Sequence, residues 1–164
     1  MSAVISKSAF QPITRAEMQA GFAAGFVGGL AEILWIAAYQ ATTGASPARV
    51  ARGVIETVAP NLGAHALAAP LGVLVHMLLS LALGLALAVF ARRVLAPALG
   101  GSRAFLSVVG LLIGVWAVNF FVVLPILNPD FVTLVPYSAS LMSKALFGVA
   151  AAAALMRGAF WRAR

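Results

Sequence analysis

Four stretches of twenty or more mostly apolar residues dominate this chain, and they leave it few ways to fold. They run from about Gln19 to Ala41, Ala68 to Ala91, Ala104 to Leu127 and Tyr137 to Met156. About 20 apolar residues at 1.5 Å each match the hydrocarbon thickness of a bilayer. Backbone groups in lipid must be satisfied internally, so each span is expected to be a helix. Transmembrane strands are about 10 residues long and alternate in polarity, and none of these segments alternates.

Composition closes the alternatives. Of 164 residues, 63% are hydrophobic and 9% charged, which is too little polar surface for a water-soluble domain. The net charge of +7 reflects only four acidic residues, so it does not point to nucleic acid. With no cysteine, disulfide exchange, thiolate metal sites and cysteine nucleophiles are excluded.

Charge placement predicts the orientation. Lys7 and Arg15 precede the first span, Arg92, Arg93 and Arg103 join the second to the third, and Arg157, Arg162 and Arg164 follow the fourth. The opposite side carries Arg49 and Arg52. Both termini are therefore expected in the cytoplasm, with residues 1–18 and 157–164 as tails around a membrane domain over 19–156. No apolar run precedes Gln19, so the first span is expected to be an uncleaved insertion signal.

The first outer connection holds a second kind of helix. Ser46-Pro47 is a helix start. Val50, Val54, Ile55 and Val58 then fall on one face, and Arg49, Arg52 and Glu56 on another. This predicts an amphipathic helix over about 47–59 at the outer interface, acting as a cap on the bundle, a lid or a docking element. The expected fold is all-α: a polytopic membrane protein with four transmembrane helices in a bundle and one short interfacial helix. Pro125 is expected to kink or end the third span.

Small residues recur at helical spacing. Gly21, Gly25, Gly28 and Glu32 share a face of the first span, and Gly25 and Gly29 repeat the GxxxG spacing. Gly72, His76, Ser80 and Gly84 share a face of the second, Gly110 and Gly114 of the third, and Ser140, Lys144, Gly148 and Ala152 of the fourth. Lipid supplies no hydrophobic drive between helices, so such faces are where backbones approach. They predict a tight bundle, or a face for a homo-oligomer or a larger partner.

An ionisable residue at membrane depth is costly unless paired or wetted. Glu32, His76 and Lys144 are three such residues, and Asn119 is polar at similar depth. Counting along each span places all four in one layer, about 3–6 Å outside the midplane. Glu32, His76 and Lys144 each continue the small-residue face of their helix. Asn119 sits nearly opposite Gly110, so it faces another neighbour unless Pro125 rotates it. The expectation is a Glu32–Lys144 ion pair with His76 nearby, which either fixes register or forms a polar site for a proton, an anion or a polar headgroup. Trp35, Tyr39 and Gln40 lie outward of Glu32, as a candidate entrance or as interface anchors.

Other chemistry is disfavoured. His65 and His76 would stand about 16 Å apart even on one helix, too far to share a haem iron. Ligands for a structural metal are lacking, Asp130 is the sole aspartate, and the glycines have packing rather than phosphate-loop spacing. No cofactor, metal or catalytic residue is expected.

The segments GFAAGFVGGLAEILW, TGASPARVARGVIETV, LGVLVHMLLSLALG, NFFVVLPILNP and LMSKALFG resemble a loose group of small bacterial four-helix inner-membrane proteins, distantly YagU-like in layout. The resemblance covers most of the chain from Gly21 onward and implies a bacterial inner-membrane location. It also implies that position 144 needs a base rather than a lysine. It carries no activity and no catalytic residue. The function expected is that of a non-enzymatic accessory subunit docking on a larger membrane complex. The other class is a small carrier or sensor built on Glu32, His76 and Lys144.

Overall fold

A computed structural model describes residues 12–44, 46–99 and 101–157. The tail positions Lys7, Arg162 and Arg164 lie outside the described residues. The described elements are all helical, and four helices are long and apolar enough to cross a membrane: α1 (Arg15–Thr43), α3 (Ala68–Leu95), α4 (Ser102–Leu127) and α6 (Tyr137–Met156). Two shorter helices, α2 (Pro47–Val58) and α5 (Pro129–Leu134), lie between them.

Local chemistry sets the ends. Helix α1 opens on a capping box, in which the Thr14 hydroxyl accepts from the Glu17 N–H and the Glu17 carboxylate accepts from the Thr14 N–H. That start lies four residues before the Gln19 boundary expected from hydropathy, because the cap rather than the apolar run ends the helix. At its other end Gly44, at φ 74°, takes the left-handed conformation of a helix stop. Ser46 occupies the position before α2 but makes no side-chain cap bond. Proline at the first helical position, which needs no N–H there, starts the helix. Asn128 does cap α5, accepting from the Phe131 N–H at 3.2 Å.

Helix α1 is the centre of the bundle. It packs on α3 along one side and on α6 along the other, and α4 packs on α6. The α1–α3 seam brings backbones together. A Cβ at Gly25 would fall on the Ser80 carbonyl, and one at Gly84 on the backbone of Gly21 and Gly25. On the α6 side, Gly28 lies against the fully buried Phe147 ring. Near the chain termini the seam is clipped by an ion pair, Arg93 Nε to Glu17 Oε1 at 3.0 Å.

The remaining pair, α3 and α4, meets chiefly near the terminal end of the bundle, where the π-helical last turn of α3, Ala91–Leu95, touches α4. Toward the other end the two helices part, and α2 lies across the gap. Helix α2 is held tightly. A Cβ at Gly72 would fall on the Ala51 carbonyl, and the Asn128 amide donates to the Gly53 carbonyl at 3.3 Å and to the Thr57 hydroxyl at 3.1 Å.

Two expectations about α4 need correction. Gly110 and Gly114 do not face the bundle: both are exposed, and a Cβ on either would meet nothing within 4 Å. Glycine spacing shows that a face permits close approach, not that a neighbour occupies it. Of the two outcomes expected at Pro125, a kink or an end, the helix does not end there. A π-helical turn over Asn119–Val123 precedes it and the helix continues through Leu127. Proline has no N–H to donate, and it follows a wider turn in which the Leu124 N–H bonds the Asn119 carbonyl five residues back.

Candidate functional site: a cavity at membrane depth

The parting of α3 and α4 leaves a cavity of about 560 Å³ among α1, α2, α3, α4 and α6, within the 300–1,000 Å³ typical of small-ligand pockets. Most of its wall is aliphatic, from Ile33 and Ile36 on α1, Val50 and Val54 on α2, and Val73 and Leu79 on α3. Trp116 and Phe120 supply an aromatic side.

The polar residues expected at one depth lie on this wall. Glu32, His76, Asn119 and Lys144 all line the cavity. Glu32 is 7% exposed. Lys144 Nζ lies 2.8 Å from Glu32 Oε1 and 3.1 Å from Oε2, and the Ser143 hydroxyl donates to Oε1 at 3.3 Å. The ammonium also sits 4.9 Å from the centre of the Phe147 ring, a favourable cation–π distance. The carboxylate thus has its counter-charge and a third donor, which an ion held away from water requires. The Gly28–Phe147 contact brings α1 and α6 close enough for a lysine to reach both oxygens.

His76 stands at the edge of this pair. Its Nε2 is 3.3 Å from the Gly29 carbonyl oxygen, 3.5 Å from the Ser80 hydroxyl and 3.9 Å from Glu32 Oε2. A carbonyl cannot donate, so Nε2 carries the proton in that contact. Asn119 reaches the cavity because Gly110, half a turn away around α4, points outward. The half-turn relation between them was read correctly; the side facing the bundle was not. Among the described residues the Asn119 amide makes no hydrogen bond.

The candidate entrance residues lie elsewhere. The Trp35 indole donates to the Ala139 carbonyl of α6 at 2.9 Å, and Tyr39 stacks on Trp35 with centroids 6.4 Å apart. Neither lines the cavity. Gln40 is 2% exposed, also off the cavity wall, with its amide oxygen unbonded among the described residues. Ile33, Ile36 and Ala37 face the cavity from α1 instead. The cavity reaches the surface sideways: Leu79 and Val73 line it and are 57% and 40% exposed. Sequence reasoning missed this opening. Its only signal was that the second span has more aliphatic bulk than packing on α1 alone uses.

Chemically, the site pairs an internally neutralised charge with two hydrogen-bonding side chains inside an apolar enclosure. No three His, Cys, Asp or Glu side chains converge among the described residues, so Glu32 and His76 are its two donors of that kind. Compared with known proteins, the chain matches no family model, and no curated protein or solved structure is significantly similar to it.

Proposed function

We propose that this chain is a non-enzymatic membrane protein, a small carrier or sensor, that binds an amphiphilic molecule in the cavity between α3 and α4. The observation that carries this reading is the coincidence of a ligand-sized cavity with Glu32, His76, Asn119 and Lys144. An ion pair kept only for register needs no cavity beside it. The charge bias between connections favours termini in the cytoplasm and α2 at the outer face. The YagU-like layout favours a bacterial inner membrane.

A second reading, an accessory subunit docked on a larger membrane complex or a second copy, is favoured by one observation. The Gly110–Gly114 face of α4 is exposed and open to close approach.

Native mass spectrometry after gentle extraction tests the two together. A small-molecule adduct that persists in the wild type and is lost in Val54→Trp, which fills the cavity from α2, is the expected result. Protein without adduct, co-purifying at fixed stoichiometry with other subunits and losing them in Gly110→Ile, would replace the first reading by the second.

A further inference from the structure

Resting on the cavity-binding reading, the geometry points to the class of ligand. We infer that the cavity takes an uncharged amphiphile whose head carries a hydroxyl together with a hydrogen-bond acceptor, held between His76 and Asn119, and which enters sideways past Leu79.

The argument begins with charge. The ionisable side chains on the cavity wall are Glu32, Lys144 and His76. The first two are bonded to each other through both carboxylate oxygens. With a neutral imidazole the wall sums to zero. A charged headgroup would then enter an apolar enclosure with no counter-charge left for it, or would have to break the pair and strand one of its members. Both carry the full cost of a buried unpaired ion. An uncharged head meets neither cost.

Hydrogen bonding then narrows the head. In the neutral ring, Nε2 of His76 donates to the Gly29 carbonyl and Nδ1 is an acceptor, and Nδ1 makes no hydrogen bond among the described residues. The Asn119 amide offers two donors and an acceptor, and it too is unbonded. Both side chains are half-buried, so their unpaired groups are open to a partner that enters the cavity. A hydroxyl can donate to Nδ1, and a carbonyl or second hydroxyl can accept from Asn119. A molecule with acceptors alone would satisfy Asn119 and leave His76 unserved. The aliphatic wall suits a hydrocarbon chain, and the exposed Val73 and Leu79 place the opening on the flank of the bundle at the depth where lipid chains lie. Monoacylglycerols have these properties.

Trp116, on the cavity wall and 8% exposed, reports occupancy. In a Trp35→Phe, Trp161→Phe background, detergent-solubilised protein is titrated with three dibrominated single-chain probes. These are a monoacylglycerol, the corresponding lysophosphatidate and the corresponding acylcholine, which share the acyl chain and carry a neutral head with two hydroxyls, an anionic head with one and a cationic head with none. The expected result is saturable quenching of Trp116 by the monoacylglycerol at an affinity at least about tenfold above either charged probe. Asn119→Leu and His76→Phe should each weaken it by about 2- to 10-fold, the loss of one hydrogen bond. Asn119→Gln, which keeps the amide, should recover much of that loss. The ranking compares three probes on one protein whose cavity residues are all intact, so misfolding of a variant cannot imitate it. Equal or tighter binding of a charged probe overturns this inference and leaves the cavity as a binding site. Saturable binding by none of the three overturns both. Saturable monoacylglycerol binding unaffected by either apolar substitution also overturns the assignment of the head to His76 and Asn119.

Discussion

The two sides of α3 follow opposite rules. Along α1 it is packed so closely that Gly25 and Gly84 have no room for a methyl group. Along α4 it stands away, and the space between them is a cavity. The close seam and the cavity overlap along α3 near Ser80, and both are built from similarly apolar helices. The difference comes from side-chain size at the facing positions: glycine and serine where backbones meet, valine, leucine, tryptophan and phenylalanine where they part. In lipid, where association rests on packing rather than on escape from water, the small residues hold the bundle and the large ones line its interior space.

The sharpest way to break this contrast is at the ion pair that borders both regions. Lys144→Met leaves Glu32 without its counter-charge and should cost about 3–5 kcal/mol, read as a shift in the SDS-unfolding midpoint in mixed micelles. The double variant Glu32→Gln/Lys144→Met should recover most of that loss. A double variant as unstable as the single would show that the lysine acts by packing rather than by charge. Next in size is the close seam itself. Gly84→Val forces α1 and α3 apart and should lose about 3 kcal/mol, the upper end for overpacking where the neighbours are backbone. Smaller again is Trp116→Phe at the edge of the open side. It removes the 3.0 Å bond from the indole to the Ser140 hydroxyl and should cost about 1 kcal/mol, with Ser140 still bonded to the Tyr137 carbonyl. The smallest effect belongs to Gly110→Ala. Helix propensity predicts a gain of about 0.5–1 kcal/mol for a monomer. A loss there, with a change in oligomeric mass, would show that α4 has a close partner.

Much of this architecture was legible in the chain. Four apolar runs of bilayer length announce four helices, and Ser46-Pro47 with its amphipathic pattern announces α2. Counting residues from span centres was enough to set Glu32, His76 and Lys144 in one layer, because rise per residue is nearly constant. Azimuth was less legible. Gly21, Gly25, Gly72 and Gly84 have close neighbours, and Gly148 lies near Val109, yet Gly110 and Gly114 with the same spacing have none. The neighbour is set by where other helices go, which no single helix records. The cavity was hidden for the same reason. It exists because α2 covers a gap that α3 and α4 leave, and Gly72 marks the contact with Ala51 without naming it. Asn119 was doubtful because its position depends on how Pro125 is accommodated.

The π-helical turn at Asn119–Val123 has a further consequence. It places one more residue in that turn than an α-helix would, so α4 behaves as two rods joined out of phase. Below the turn, toward the chain termini, the phase sets Gly110 outward; beyond it, the phase carries Asn128 to its bonds with Gly53 and Thr57 on α2. The length of this segment is therefore read like the pitch of a screw. Deleting one residue there would close the wide turn into an α-helix and leave the far rod in phase, whereas inserting one more would turn that rod by about 100° and release α2, although no contact had been mutated. Connections on the surface of a protein usually absorb such changes in length. Here the intolerant position lies inside an apolar helix, and a scan of single-residue insertions would find it by its effect on α2 rather than on α4.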